Sequence, residues 1–257
     1  MSGVSYFHVD AFADAPFTGN PAAVILFDAW PDEAALQRIA AEMNLPATAF
    51  CVAVAGEADF AIRWFSPRAE IGLCGHGTLA AGHALLGDKA GIRFATAKAG
   101  VVRVTQEDGL YHLSLPALVA APHALSESVA ALGGNPVETF WHARGYALVR
   151  YAHAAAIRAL TPDFAALGAL GDIQHSVTAP GDDTDIISRV FTRRGEDAVT
   201  GSAHAVLTPY WAEQLGRSAF SAFQASARGG RLSCRLDGDQ VVLGGRCVTV
   251  TEGRFLL

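Results

Sequence analysis

Apolar, β-branched and aromatic residues recur at close spacing in short runs along the N-terminal half, at residues 6–11, 23–27, 48–54, 59–65, 101–105 and 111–115. Such runs predict β-strands. Several are joined by hairpin-sized turns such as Glu107-Asp108-Gly109, so the pattern predicts antiparallel pairing rather than βαβ crossovers. Residues 31–43 follow another period. Leu36, Ile39, Ala40 and Met43 fall on one stripe and acidic residues occupy the first turn, which predicts an amphipathic surface helix.

The second half repeats the recipe, with strand-like runs at 137–142, 147–151, 186–191, 231–236, 240–243 and 247–251. Between the halves, residues 115–122 carry prolines at Pro116 and Pro122, the best candidate for a crossing between lobes. Two further segments read as helices. After Cys74-Gly75-His76-Gly77-Thr78 comes LAAGHALL, and after Asp197-Ala198-Val199-Thr200-Gly201-Ser202 comes AHAVLTPYWAEQL. Each opens on a glycine turn with hydroxyl residues able to cap a helix and continues in small residues. The first is apolar or small nearly all round, so strands should surround it. Two curved antiparallel sheets, each wrapped around one buried helix, satisfy both patterns.

Composition narrows the class. A chain of 257 residues with 51% apolar content is long enough for two packed lobes. The net charge is −6 and the basic residues are dispersed, which argues against nucleic acid and against a polybasic membrane patch. A small-molecule partner is the better expectation. The N-terminal segment MSGVSYFHVDAF lacks a basic stretch followed by an apolar core, and no apolar run approaches the ~20 residues that span a bilayer. A cytoplasmic protein is expected. Cys51, Cys74, Cys234 and Cys247 are scattered, without Cys-x-x-Cys or paired Cys/His spacing, so neither a disulfide framework nor a metal site is expected.

The CGHGT cluster carries the candidate chemistry. Gly75-His76-Gly77-Thr78-Leu79-Ala80 matches G-x-G-x-x-A, but Ser66-Pro67 precedes it and no carboxylate follows at the spacing a ribose ligand needs, so a dinucleotide site is not expected. His76 and His83 lie two helical turns apart, about 10 Å, too far to share a metal. Cys74, beside a helix N-terminus, reads either as a buried thiol at a cap or as an activated nucleophile. The pairing of the two helix starts favours a functional reading. Two helix N-termini facing one cleft would hold a small carboxylate on their N–H groups, with Gly75, Gly77 and Gly201 leaving the approach open. His76 and Asp197 would then be titratable groups placed to bind the substrate or to move a proton.

These segments resemble the PhzF-like isomerase family of phenazine biosynthesis, which shares the diaminopimelate-epimerase fold. The resemblance rests on residues 7–12 (FHVDAF), 17–24 (FTGNPAAV), Asn44-Leu45, Pro67, 73–79 (LCGHGTL) and 196–204 (EDAVTGSAH), in family order over most of the chain. It implies an α+β fold of two pseudo-symmetric lobes, each a mostly antiparallel, barrel-like sheet around a central helix, with the site between them. The lobes would comprise residues 1–116, with a last strand at 246–257 returning to them, and residues 122–245. A homodimer that needs no cofactor, acting by proton transfer on a small carboxylate, is implied. By motif position, His76, Asp197 and Cys74 are the proton carriers, while Asn20, Gly75, Gly77, Thr78, Thr200, Gly201 and Ser202 bind substrate.

Two positions depart from the family. Ala47 stands where the family usually has its general acid/base Glu, in Asn44-Leu45-Pro46-Ala47-Thr48, and Gln224-Ala225 replaces a Gln-Gly pair, a change expected to affect only a turn. Alanine cannot transfer a proton. Cys74 is the favoured substitute, since epimerases of this fold use a cysteine at the matching place, but their second cysteine falls near Thr200. Glu42 on the surface helix and Glu70 are expected to be structural. The alternatives are a small-molecule binding protein that has lost catalysis and an epimerase or racemase that uses Cys74.

Overall fold

Strands and helices alternate along the chain in the order β1 Gly3–Ala11, β2 Asn20–Phe27, α1 Glu33–Met43, β3 Ala47–Ala53, β4 Phe60–Phe65, β5 Glu70–Ile71, α2 Gly75–Leu85, β6 Gly91–Thr96, β7 Val101–Glu107 and β8 Leu110–Pro116. There follow β9 Ala121–Pro122, α3 Ser126–Leu132, β10 Glu138–His142, β11 Tyr146–Arg150, α4 Ala154–Arg158, α5 Phe164–Ala169 and β12 Gln174–Pro180. The chain closes with β13 Ile186–Thr192, β14 Gly195–Asp197, α6 Gly201–Leu215, β15 Ala219–Gln224, β16 Gly230–Asp237, β17 Gln240–Gly245 and β18 Cys247–Leu256. The computed structural model describes residues 3–256. It divides into two compact units, one of residues through Ser114 together with those from Gly244 onward, the other Leu115–Leu243.

In the first unit β1 pairs antiparallel with β2 and with β18, β2 runs parallel to β3, β3 antiparallel to β4, and β4 antiparallel to β5 and parallel to β6. β6, β7 and β8 complete an antiparallel meander. The second unit follows the same scheme from β10 to β16, with parallel pairs at β11–β12 and β13–β15. The turn at Glu107–Gly109 joins β7 and β8 antiparallel as expected and most pairings are antiparallel, but the expectation that crossovers are absent is corrected, since each unit also contains parallel neighbours. A parallel pair needs a connection long enough to return the chain to its starting end, and α1, α2 and α6 lie in three of these connections.

The helices form for legible reasons. Asp32 precedes α1 and its carboxylate accepts the Ala35 N–H at 2.6 Å, while Asn44 takes a left-handed conformation at the C-cap. The predicted stripe of Leu36, Ile39 and Ala40 packs on Ile25, Phe27, Phe50, Val52 and Phe65. Helix α2 is buried against β1, β2, β3, β6, β7 and β18. Small residues permit this: a Cβ on Gly82 would sit 2.6 Å from the Val104 side chain. Helix α6 contains Pro209, which cannot donate to Ala205. The carbonyl so released accepts the Leu118 N–H at 3.0 Å, and the helix continues.

Strands β6, β12 and β15 were not predicted. β12 carries Gln174, His175, Ser176 and Thr178 and lacks a dominant apolar run, but three of these four polar residues do not face water: His175, Ser176 and Thr178 are fully buried. Tertiary structure buries what the local pattern reads as polar surface: the Thr178 hydroxyl donates to the Ile187 carbonyl at 2.8 Å and His175 Nε2 lies 3.0 Å from the Ser128 hydroxyl, while the Ser176 hydroxyl has no hydrogen-bond partner among the described residues.

Candidate active site

The chain reaches α2 through the β4–β5 turn, which a fork of ion pairs fixes. Arg63 donates from Nε to Glu70 Oε1 at 2.7 Å and from Nη2 to Glu70 Oε2 at 2.9 Å. The guanidinium holds the Glu70 carboxyl below its ordinary range, so Glu70 is a structural anion and not a proton carrier. Glu42 is exposed on α1.

Cys74 is the N-cap of α2, and no side chain caps the helix there among the described residues. Its carbonyl accepts both the Thr78 N–H at 2.9 Å and the Thr78 hydroxyl at 2.6 Å. The Thr78 side chain is thus turned into its own helix. Cys74 Sγ lies 3.6 Å from His76 Nδ1 and 3.8 Å from Nε2. Asn20, fully buried at the start of β2, brings its Nδ2 to 3.4 Å from His76 Nδ1. Gly77 leaves no gap: a Cβ there would meet Trp64 Cδ1 at 3.0 Å and Cys74 Sγ at 3.1 Å. The first unit therefore gathers Asn20, Cys74, Gly75, His76, Gly77 and Thr78 at one helix end. Ala47 is fully buried at the start of β3, opposite Ala22, and offers only a methyl group.

In the second unit the same approach recurs. Arg189 forks onto Glu196 at 2.7 and 3.0 Å, with the residue spacing of Arg63 and Glu70, and each guanidinium lies over the phenylalanine two residues on, Phe65 or Phe191. Thr200 and Gly201 follow Glu196 as Cys74 and Gly75 follow Glu70. His204 Nδ1, 2.9 Å from the Thr200 carbonyl, repeats the back-bond of Thr78. Thr200 again caps without a side-chain bond to the helix, because its hydroxyl donates to Asp197 Oδ2 at 2.6 Å. The other carboxylate oxygen accepts the Ala198 N–H at 3.0 Å. Ser202 donates to Gln174 Oε1 at 2.9 Å.

Gln224 was missed as part of this arrangement. It is fully buried, accepts the Thr200 N–H at 2.9 Å and donates to the Asp197 carbonyl at 2.8 Å, so it ties β15 to the start of α6. A glutamine closing the otherwise apolar run AFSAF was the available signal, since a buried amide must find partners. Trp64 gave no signal beyond that of a strand residue. Among the described residues no group of three or more His, Cys, Asp or Glu side chains could hold a metal, and no helix is long and apolar enough to cross a membrane.

Comparison with known proteins places this geometry. A family model described as phenazine biosynthesis-like protein, PhzC-PhzF, matches residues 9–253. An uncharacterized isomerase of Pseudomonas aeruginosa is 43% identical, with 99% of each chain covered. The crystal structure of a phenazine biosynthesis protein of the PhzF family from Enterococcus faecalis superposes with a TM-score of 0.93 at 38% identity, covering 100% of both chains. A predicted epimerase from P. aeruginosa, at 21% identity and a TM-score of 0.77 over 100% of both chains, shares the fold. The α+β architecture is that of these proteins.

Proposed function

The chain belongs to the PhzC-PhzF, phenazine biosynthesis-like family, whose relatives include proteins named isomerases, and from that premise we propose that it is a cofactor-independent isomerase moving a proton on a small carboxylate-bearing substrate. The observation that carries the reading is the Cys74–His76–Asn20 cluster at the uncapped end of α2. Helix-end N–H groups at Gly75 and Gly77 suit a carboxylate, and the same groups stabilise the charge that develops on it when a neighbouring carbon loses its proton. With a methyl group at Ala47, the proton falls to His76, partnered by the Cys74 thiol, while Asp197 is the second carrier by its family position. Asp197 is oriented for that by Thr200 and Ala198. The pairing scheme common to the two units supports reading them as pseudo-symmetric lobes, and the homodimer belongs to the same proposal.

Incubation in D2O with a panel of amino acids and cyclic dienoic acids tests the reading by mass spectrometry and proton NMR. The expected result is deuterium at a carbon next to the carboxylate with at least one substrate, lost by about 10²- to 10⁴-fold in His76→Ala or Cys74→Ser while the fold is retained. Absence of exchange across the panel in folded protein counts against it. Ala47 favours one second reading, a binding protein that has lost catalysis. It predicts exchange in Ala47→Glu and none in the natural chain.

A further inference from the structure

We propose that Trp64 is a positioning residue for Cys74: its buried indole N–H is held in reserve for the thiolate that forms when Cys74 gives its proton to His76. This deepens the isomerase reading and rests on the Cys74–His76 pair as its proton carrier.

Trp64 is only 2% exposed, and its Nε1–H has no acceptor among the described residues. An indole nitrogen is donor only, and a buried donor left unpaired is destabilising. Other buried side-chain atoms, Ser176 Oγ and Ser188 Oγ among them, also lack a hydrogen-bond partner among the described residues, and what sets the indole N–H apart is its place beside Cys74. The point 1.5 Å or so from Gly77 Cα where a Cβ would stand lies 3.5 Å from Trp64 Nε1, 3.0 Å from Cδ1 and 3.1 Å from Cys74 Sγ. The polar edge of the indole and the thiol therefore flank the same glycine of the first helical turn. Gly77 allows this approach, since a methyl group would have to displace one or the other.

The sheet aims the ring there. Trp64 stands in register with Ala49 on β3 and Ile71 on β5, and strand alternation puts Ala47, Ala49 and Cys51 on the face that Trp64 shares, toward α2. Among the described residues of β3, β4 and β5, that face holds no carboxylate to accept the indole N–H. Arg63, the next residue, projects to the opposite face, where Glu70 and Glu33 pair with it. The remaining titratable groups around α2 are Cys51, Cys247, His83 and Tyr111. Burial raises both thiols and the phenol and lowers His83, so each is held neutral and none competes for the role of anion.

The chemistry balances without another reactant. The Cys74 S–H bond breaks, a His76 ring N–H bond forms across the 3.6 Å contact, and a thiolate–imidazolium pair results. A donor unpaired in the neutral state and paired in the charged one stabilises only the charged state, which is how a fixed dipole contributes to a proton transfer. The α2 N-terminus acts in the same direction.

The test is the pH profile of Cys74 thiolate. It is followed by iodoacetamide alkylation located by mass spectrometry and by thiolate absorbance as the difference between the natural chain and Cys74→Ser. Trp64→Phe keeps the ring and removes the N–H. The midpoint is expected to rise by about one pH unit, a tenfold loss of thiolate at a given pH. Gly77→Ala, which pushes the indole and thiol apart without deleting a donor, is expected to raise it as well, and it keeps the test decisive if Trp64→Phe does not fold. Unchanged midpoints overturn the proposal. The isomerase reading is judged separately by deuterium exchange. A shifted midpoint without exchange in the natural chain sinks that reading alone, and exchange with an unshifted midpoint sinks the assignment of Trp64 alone.

Discussion

Close approach is the theme at the scale of single residues. Helix α2 sits among strands because its surface is nearly featureless, and Gly82 marks the tightest contact, where a Cβ would be 2.6 Å from Val104 Cγ1 and 2.9 Å from its Cβ. These are atoms of a stiff, β-branched side chain on β7, which cannot swing away. Gly82→Ala improves helix propensity by up to about 1 kcal/mol, yet overpacking costs about 1–3 kcal/mol, so a net loss of stability is expected. Urea unfolding followed by circular dichroism would show a lower midpoint at an unchanged slope. A midpoint equal to that of the natural chain would mean that β7 yields more readily than its packing implies.

Among the elements, α1 differs from α2 and α6 in how it begins. Asp32 closes the start of α1 with a side-chain bond, and α1 serves only to cover one face of β2, β3 and β4. Helices α2 and α6 begin at Cys74 and Thr200 without such a bond, and both starts follow an Arg–Glu fork that fixes the incoming chain. Both helix starts are thus fixed from the incoming strand rather than by a side-chain cap. Replacing Asp32 by Ala should cost about 1 kcal/mol of stability and leave any exchange activity intact, because that cap serves packing alone. Thermal unfolding and the deuterium assay, run side by side, would check both halves of the expectation.

Across the whole molecule, burial of neutral histidines sets a pH limit. His175, bonded to Ser128 at 3.0 Å, and His204, bonded to the Thr200 carbonyl, are both pushed by burial from an ordinary value near 6.5 down to about 4. Each is held neutral in the folded chain while the unfolded chain takes up the proton. Their contribution is complete above about pH 6.5 and is lost as pH falls toward 4, at up to about 1.4 kcal/mol per pH unit for each. Asp59, Glu70 and Asp185, whose carboxyls are lowered by hydrogen bonds, extend the loss in acid. The urea midpoint should therefore be lower at pH 5 than at pH 7 at equal ionic strength. Equal midpoints would show that these histidines are reached by water.

The sequence by itself determined the strand-rich character, the amphipathic stripe of α1, the burial of the helix after CGHGT and the paired motifs at Cys74–Thr78 and Asp197–Ser202. All of these are written in local period or in short residue order, and the family followed from the same segments. Only the tertiary structure decided the parallel pairings, the strand at 174–180 and the partners of each polar side chain. Polar residues such as His175, Ser176 and Thr178 look like surface until their neighbours are known. The same holds at the site. Trp64 reads locally as an ordinary strand residue and Gln224 only as a polar end to a strand; what singles them out is a missing acceptor in one case and three hydrogen bonds to Asp197 and Thr200 in the other. A hydrogen bond joins residues far apart in the chain and leaves no period along it, so the sequence drew attention to Cys74 and His76 while the fold alone showed what surrounds them.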